Sequence, residues 1–337
     1  MATFDAAPNA AQTAGYQNRP IEADATSDYA SDADSVRSDL TSVKSSTFEY
    51  QYENGRRYHA YRAGKYILPN DEQEQDRLDI MHHVFRLALD GEFCYSKLDQ
   101  PLNILDVGTG TGIWAIEIGD LYPAAQVIGT DVSPIQPNWL PPNVSFQIDD
   151  ATDSWAFPQN HFDFIHIRCL GGSVRDWPAL LRQAYRHLKP GGKIELSEGR
   201  THLCCDDGTF PMESDTNRWY TGFHQIARAH GLEFDPFPQM PDLLRQGGFI
   251  NVLATERPCP IGTWPKDKKL KEIGRFFKHQ FINMAVDSYS LALFTRIGGW
   301  SEAETQILLA RVRDEFKGNK MHLYTHCSYA IAEKPQN

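Results

Sequence analysis

The sequence predicts an α/β fold: a Rossmann-like, mostly parallel sheet with helices on both faces. Three observations carry this. Strand-like and helix-like segments alternate between residues 101 and 200, the first strand runs straight into a glycine-rich loop, and an acidic residue closes the second strand.

Asn103-Ile-Leu-Asp-Val107 is a short apolar run between Pro101 and Gly108, the pattern of a strand buried on both faces. Gly108 to Gly112 forms a tight loop, and Ile113 to Leu121 a helix. The second to fifth strands are Gln126–Asp131, Asn143–Ile148, Phe162–Ile167 and Lys193–Ser197. Asp176 caps a helix from about Pro178 to Leu188, and Lys189-Pro-Gly-Gly192 turns the chain into the fifth strand. Beyond Gly199 the pattern is less regular. Helices are expected over Trp219–His230, Met240–Gln246, Lys268–Ile297 and Ser301–Phe316, a sixth strand over Gly247–Thr255, and a last one over His322–Glu333. Upstream, Phe48 to Glu53 alternates aromatic and polar residues, Asn54-Gly55 is a turn, and Arg56 to Tyr61 follows. Asn70 is the expected N-cap, with Gln73 as its box partner, of a helix carrying Leu78, Met81, Val84, Phe85, Ala88 and Leu89 on one face.

These elements divide the chain into an acidic tail, 1–46, and one domain, 47–337. The domain comprises an N-terminal cap (47–100), a cofactor-binding core (101–200), helical substrate-side insertions carrying strand six (201–320), and a last strand (321–335). The tail is rich in Ala, Ser, Asp and Thr and cannot bury enough apolar surface to offset its ordering entropy, so it is expected to be disordered. Residues 1–50 hold eight acids and three bases, five of the eleven net negative charges of the whole chain. That balance leaves no electrostatic footprint for direct nucleic-acid binding. No stretch approaches the ~20 apolar residues of a membrane span, and residues 1–14 have no secretory pattern. None of the six cysteines forms a C-x-x-C pair, so reduced intracellular thiols and no metal site are expected.

The loop Asp106-Val-Gly108-Thr109-Gly110-Thr-Gly112 is the strongest chemical signal. Its glycines let the backbone approach a ligand, and the helix behind aims free N–H groups at it. The dinucleotide fingerprint G-x-G-x-x-G places Gly where Ile113 stands here. Asp106 suits a ligand bearing an ammonium and is awkward beside a pyrophosphate. Asp131, with Val132 after it, can take two ribose hydroxyls, and Asp149-Asp150-Ala151 can read an adenine amine, Asp150 being slightly favoured over Asp149. Together these point to S-adenosyl-L-methionine rather than a nicotinamide dinucleotide. The plain alternative for Asp106 is a carboxylate that braces the loop.

The Asp-Val-Gly-Thr-Gly-Thr-Gly run, Asp131, Asp150-Ala151, Phe162-Asp163-Phe-Ile and His187-Leu-Lys-Pro-Gly-Gly192 resemble the motifs of the class I methyltransferase family, in its order. The resemblance implies a seven-stranded sheet with the last strand antiparallel. A narrower resemblance rests on Asn54-Gly-Arg-Arg-Tyr-His-Ala-Tyr61, Tyr66-Ile-Leu-Pro-Asn-Asp71, Gly110-Thr-Gly-Ile-Trp114-Ala-Ile-Glu117, Gly172-Ser173-Val-Arg-Asp176-Trp177 and Gly298-Gly299-Trp300-Ser301. From about residue 48 to 335 the chain is similar to the fungal LaeA-like methyltransferases. That resemblance implies a regulator of secondary metabolism and development, a velvet-domain partner, and a place in nucleus and cytoplasm.

No catalytic residue stands out, since in-line transfer of an activated methyl needs a base only when the nucleophile arrives protonated. Weak candidates are Tyr58, whose ring, like that of Tyr61, would shield a sulfonium, Arg168 at the end of the fourth strand, and Glu198 at the end of the fifth. Arg168 is equally a candidate for the cofactor. Their plain readings are core packing, a salt bridge and a solvated loop carboxylate. Trp114 and His166 read as core. No Asn/Asp-Pro-Pro-Tyr motif follows the fourth strand, where Ile167-Arg-Cys-Leu170 stands, which disfavours DNA bases and glutamine as acceptors. The leading reading is an active methyltransferase in a regulatory complex. Its rivals are a cofactor-binding interaction protein with little catalysis, a small-molecule methyltransferase of a biosynthetic pathway and, more distantly, a nicotinamide dehydrogenase.

Overall fold

The computed structural model describes residues 50–59 and 67–336. The acidic tail, Phe48 and Tyr61 lie outside the described residues.

A small antiparallel hairpin opens the described chain, β1 (Gln51–Glu53) and β2 (Arg56–Tyr58), turning at Asn54-Gly55, both with positive φ. Helix α1 (Glu72–Ala88) follows. Its N-cap is Asp71, whose carboxylate accepts from Glu74 N at 3.0 Å, and not Asn70 as the spacing suggested. Asn70 is buried instead, its carbonyl accepting from Arg57 Nη2. The shift by one residue has a reason: Arg56 grips the Asp71 carboxylate and fixes it in the capping position.

The sheet strands are β3 (Asn103–Val107), β4 (Gln126–Asp131), β5 (Val144–Ile148), β6 (Phe162–Arg168), β7 (Leu188–Gly199), β8 (Ile250–Pro260) and β9 (Tyr324–Glu333). They lie in the order β5-β4-β3-β6-β7-β9-β8. All are parallel except β9, which pairs antiparallel with both β7 and β8. The seven strands and the reversed last strand agree with the expectation, and the reversed strand is inside the sheet rather than at its edge.

Helix α2 (Ile113–Leu121) packs Trp114, Ala115 and Ile118 on Ile104, Val127 and Phe164 of one face. On the other face, α3 (Trp177–His187) and α5 (Met240–Gln246) pack Leu180, Leu181, Ala184 and Leu244 on Leu105, Val107, Ile165 and Leu196. Neighbouring residues of β3 therefore serve opposite faces, as the strand's two-residue period requires. Asp176 caps α3 by accepting from Ala179 N.

A third layer covers the carboxyl ends of the central strands. It is built from α1, α4 (Asp215–Ala229), α6 (Lys268–Gln280), α7 (Val286–Ala292) and α8 (Glu302–Glu315). The expected single helix 268–297 is interrupted by two π-helical turns, Phe281–Ala285 and Leu293–Ile297, which redirect its apolar face. Among the described residues no helix is long and apolar enough to cross a membrane.

Candidate functional site

Strand order reverses between β3 and β6, because the chain winds outward to β4 and β5 and then returns to the other side. Ligands of open α/β sheets sit at such a point, beyond the carboxyl ends of the strands. The glycine loop lies there. Gly108 has φ +70° and Gly112 φ +81°. A Cβ at Gly108 would stand 2.5 Å from Leu170 Cδ2, and one at Gly112 2.3 Å from Phe146 Cζ, so neither position has room for a side chain.

Asp106 is buried beneath the loop. Its Oδ2 accepts from the Thr109 hydroxyl at 2.6 Å, and its Oδ1 lies 2.7 Å from His166 Nδ1. The His166 ring stacks on Trp114 with centroids 3.8 Å apart and planes 10° from parallel. Each carboxylate oxygen of Asp106 bonds within the protein, and, unlike Asp131, Asp106 is off the cavity wall. The expected ligand contact is corrected to the brace that was its plain alternative. Gly112 is off the wall as well, its role being to let Phe146 pack under the turn.

Above the loop opens a cavity of about 1180 Å³. Gly108, Thr109, Gly110, Asp131, Val132, Asp149, Asp150, Ala151 and Arg168 all line it, and so do His59, Leu78 and His82. The structure therefore brings together nine of the eleven residues expected to hold the cofactor. Asp131 ends β4 with Oδ2 accepting from Gly110 N and Oδ1 from Ser133 N, at 2.8 and 2.9 Å. Burial pushes its carboxyl up to about 6, against those two bonds. Asp150 accepts from both the Thr152 amide and hydroxyl, which fixes its loop.

Arg168 donates to His82 Nδ1 at 3.1 Å and lies over the Phe85 ring. A guanidinium only donates, so Nδ1 of His82 accepts and its Nε2 carries the proton toward Glu117, 2.6 Å away. Burial and the Arg168 charge keep His82 neutral. The guanidinium charge thus faces the cavity held by a neutral ring, free to meet an anionic group there.

Beside this cavity is a second one, of about 860 Å³, and Arg77, Met81 and Cys169 line both. One side of its wall is aromatic, with Trp219, Phe223, Phe234, Phe277, Phe281 and Tyr289 from three of the cap helices, a π-turn and a loop. Cys169 takes φ +56° just past β6, a strained conformation of the kind concentrated at functional sites. Arg77 is buried and pairs with Glu74 through two bonds of 2.7 and 2.9 Å.

Glu198 belongs to this second cavity. Its Oε1 accepts from Leu170 N at 2.9 Å and its Oε2 from Gly171 N at 3.4 Å. It is 4 % exposed, so the expected solvated carboxylate is corrected to a buried one, because Gly171 and the Phe234 loop close over the strand end. Burial raises its carboxyl to about 8. Glu195, three residues earlier, instead fastens the Tyr95 and Ser96 amides. Tyr58 lines neither cavity. It is packed in the core of the cap with Arg296 over its ring, which removes it from the candidate catalytic residues.

Sequence reasoning missed Arg77, His82, Cys169 and the aromatic wall. Arg77 and His82 are polar residues of an ordinary amphipathic helix, and the aromatics are spread from 219 to 289 with nothing in their spacing to join them.

A parallel sheet reversed at β9, a glycine loop at its switch point and an acid closing the next strand define the Rossmann-like methyltransferase class. A methyltransferase-domain family model matches residues 73–253. The chain is 42% identical over 308 residues to methyltransferase pytC of Aspergillus terreus, covering 90% of this chain and 94% of that one. It is 38% identical to the secondary metabolism regulator LAE1 of Cochliobolus heterostrophus (84% and 94% covered). To the protein-methionine methyltransferase laeA of Emericella nidulans it is 34% identical (88% and 80%). The chain belongs to the LaeA-like class I methyltransferases, and its cofactor is S-adenosyl-L-methionine.

The residues present fit that cofactor. The first cavity offers side-chain-free backbone at Gly108 and Gly110, a carboxylate at Asp131 for hydroxyls, and the Arg168 guanidinium for a carboxylate. When bound, the cofactor supplies an activated methyl group.

Proposed function

We propose that this methyltransferase regulates fungal secondary metabolism and development, transferring the methyl to an acceptor held in the second cavity. One observation carries the catalytic half: a cofactor cavity and an aromatic-lined cavity share Arg77, Met81 and Cys169. Such a junction lets donor and acceptor meet in a fixed orientation, which supplies most of what methyl transfer needs. Relatives named as secondary metabolism regulators support the regulatory half. The resemblance to the LaeA-like family supports a velvet-domain partner and a place in nucleus and cytoplasm. Residues 1–46 are proposed to be an acidic tail to a single domain.

A second reading is methylation of a metabolite within a biosynthetic pathway, favoured by the 42% identity to methyltransferase pytC. Gly108 and Gly110 replaced together by Ala separate the readings. The variant should fold, bind the cofactor at least 100-fold more weakly by titration calorimetry, and still co-purify with a tagged velvet-domain protein. If metabolite production in the fungus is unchanged by this variant, catalysis has no part in the role. If labelled methyl appears in a metabolite with no partner protein present, the second reading prevails.

A further inference from the structure

Two buried polar atoms on the wall of the aromatic chamber have no hydrogen-bond partner, the amide oxygen Oε1 of Gln280 and the hydroxyl of Thr201. Gln280 is 2 % exposed and comes from α6, while Thr201 follows β7, so two residues from separate elements that line the same space each carry a buried polar atom without a partner among the described residues. Buried polar groups in folded proteins are almost always paired, and the usual exceptions await a ligand or water. The third polar group, Glu198, is seated by the Leu170 and Gly171 amides beside Cys169, which faces both cavities.

The charges of the chamber narrow the acceptor. Arg77 is spent on Glu74, and Arg200 on Asp235 and Glu256. Apart from Glu198, the wall has no carboxylate to receive a Lys or Arg side chain. A thioether has no proton to lose and would leave Glu198 idle.

We propose that the chamber takes a flat, uncharged, phenol-bearing small molecule, hydrogen-bonded by Gln280 and Thr201, and that Glu198 is the general base for methylation of its hydroxyl oxygen. This rests on the methyltransferase reading and is independent of the regulatory one. The acceptor oxygen forms a bond to the methyl carbon as the bond from that carbon to the donor sulfur breaks. The sulfur leaves as a neutral thioether with the bonding pair, and the hydroxyl proton passes to the Glu198 carboxylate. Gln280 Oε1 requires a donor from the ligand, which a second hydroxyl or an N–H supplies.

The pH dependence follows from the neighbours. Cys169 and Tyr289 are both held up to about 12 by burial, Tyr220 is raised by burial, and Arg77 stays charged beside Glu74. Arg200 and Asp235 are locked to each other at the rim. Of these groups, Glu198 alone changes charge near pH 8, and it becomes a base as pH rises.

The test uses the full chain, labelled S-adenosylmethionine, and two probes, 1,3-dihydroxynaphthalene and a methionine-containing peptide. The diol should bind the cofactor-loaded protein and be methylated, with a rate rising about tenfold per pH unit below a midpoint near 8. Glu198→Gln should keep cofactor and diol binding within threefold and lose at least 100-fold in transfer, with the pH dependence gone. Gln280→Leu should weaken diol binding about tenfold, the effect of one lost hydrogen bond in a buried site. Ala285→Phe, which fills the chamber, should abolish diol binding and leave cofactor binding intact. Cofactor binding without diol binding, methylation of the peptide alone, or transfer by Glu198→Gln at the native rate would each overturn the proposal while leaving the methyltransferase reading in place. Failure to bind the cofactor would overturn that reading itself.

Discussion

At the scale of single residues, the glycine loop is governed by backbone angle and contact together. Gly112 and Gly208 both have positive φ, +81° and +74°, but only Gly112 is crowded, with Phe146 against the position of a Cβ. Gly208→Ala should cost about 1–2 kcal/mol, the left-handed strain alone. Gly112→Ala adds overpacking of roughly 1–3 kcal/mol, a difference that urea denaturation of the two variants will measure. Asp131 makes a different prediction. A ribose hydroxyl donates to a carboxylate, so the ionised form is the one that binds, while burial has moved the carboxyl up to about 6. A raised acid is protonated as pH falls through that value, so cofactor affinity should drop about tenfold for each pH unit below 6. His59, also on that wall, is pushed down from its usual range by burial. Asp131→Asn isolates the carboxylate. Calorimetric titration at pH 5, 6 and 7 should show a sloping affinity for the native chain and a weaker, flat one for the variant.

At the scale of elements, the hairpin β1–β2 lies outside the main sheet, and apart from Tyr58, which is buried in the core of the cap, its attachments are polar. Arg56 holds Asp71 through 2.6 and 2.8 Å bonds and reaches Ser288 of α7, while Asn54 reaches Thr295 and Glu53 pairs with Arg296. One guanidinium therefore ties the hairpin, the start of α1 and the cap together. Removing one member of a buried pair leaves the other desolvated and unmatched, at a typical cost of about 3–5 kcal/mol. Arg56→Met should lose stability near the lower end of that range, as Asp71 is 13 % exposed and keeps its role as cap. A shallower loss, under 1 kcal/mol by chemical denaturation, would mean that water replaces the arginine. The elements of the core were legible in the sequence because each follows one period: short strands, each with a few Ile, Leu, Val or Phe residues between turn signals, then helices with an apolar face. The cap was less so. The change from α to π geometry at Phe281 leaves no mark in composition, and the N-cap moved from Asn70 to Asp71 because a residue 15 positions upstream holds it there.

At the scale of the whole molecule, the donor half of the site was readable because one local stretch and three strand ends build most of it. The acceptor half was not, because its wall comes from eight stretches of the chain, between Arg77 and Thr325, that only the fold brings together. The position of β9 joins the two halves. It lies between β7, whose end carries Glu198, and β8, so the last strand to be made is an interior strand. Ala330 of β9 is opposite Leu196 on one side and Ala254 on the other, and it is fully buried. A charge there has no partner and no route to solvent, and such a group costs several kcal/mol unless it neutralises. Ala330→Asp should therefore unfold the domain at neutral pH, or leave it folded only at acid pH where the carboxyl is protonated. Ending the chain at Leu323 should be worse, since β8 would lose its one strand neighbour among the described residues and β7 would become an open edge. If β9 were a peripheral addition, the truncated chain would keep cooperative thermal unfolding and bind the cofactor with near-native affinity. Loss of both, read by circular dichroism and calorimetry on the same sample, is the expected result. It would establish that the donor site at β3, β4 and β6 depends on a strand two positions away from it in the sheet.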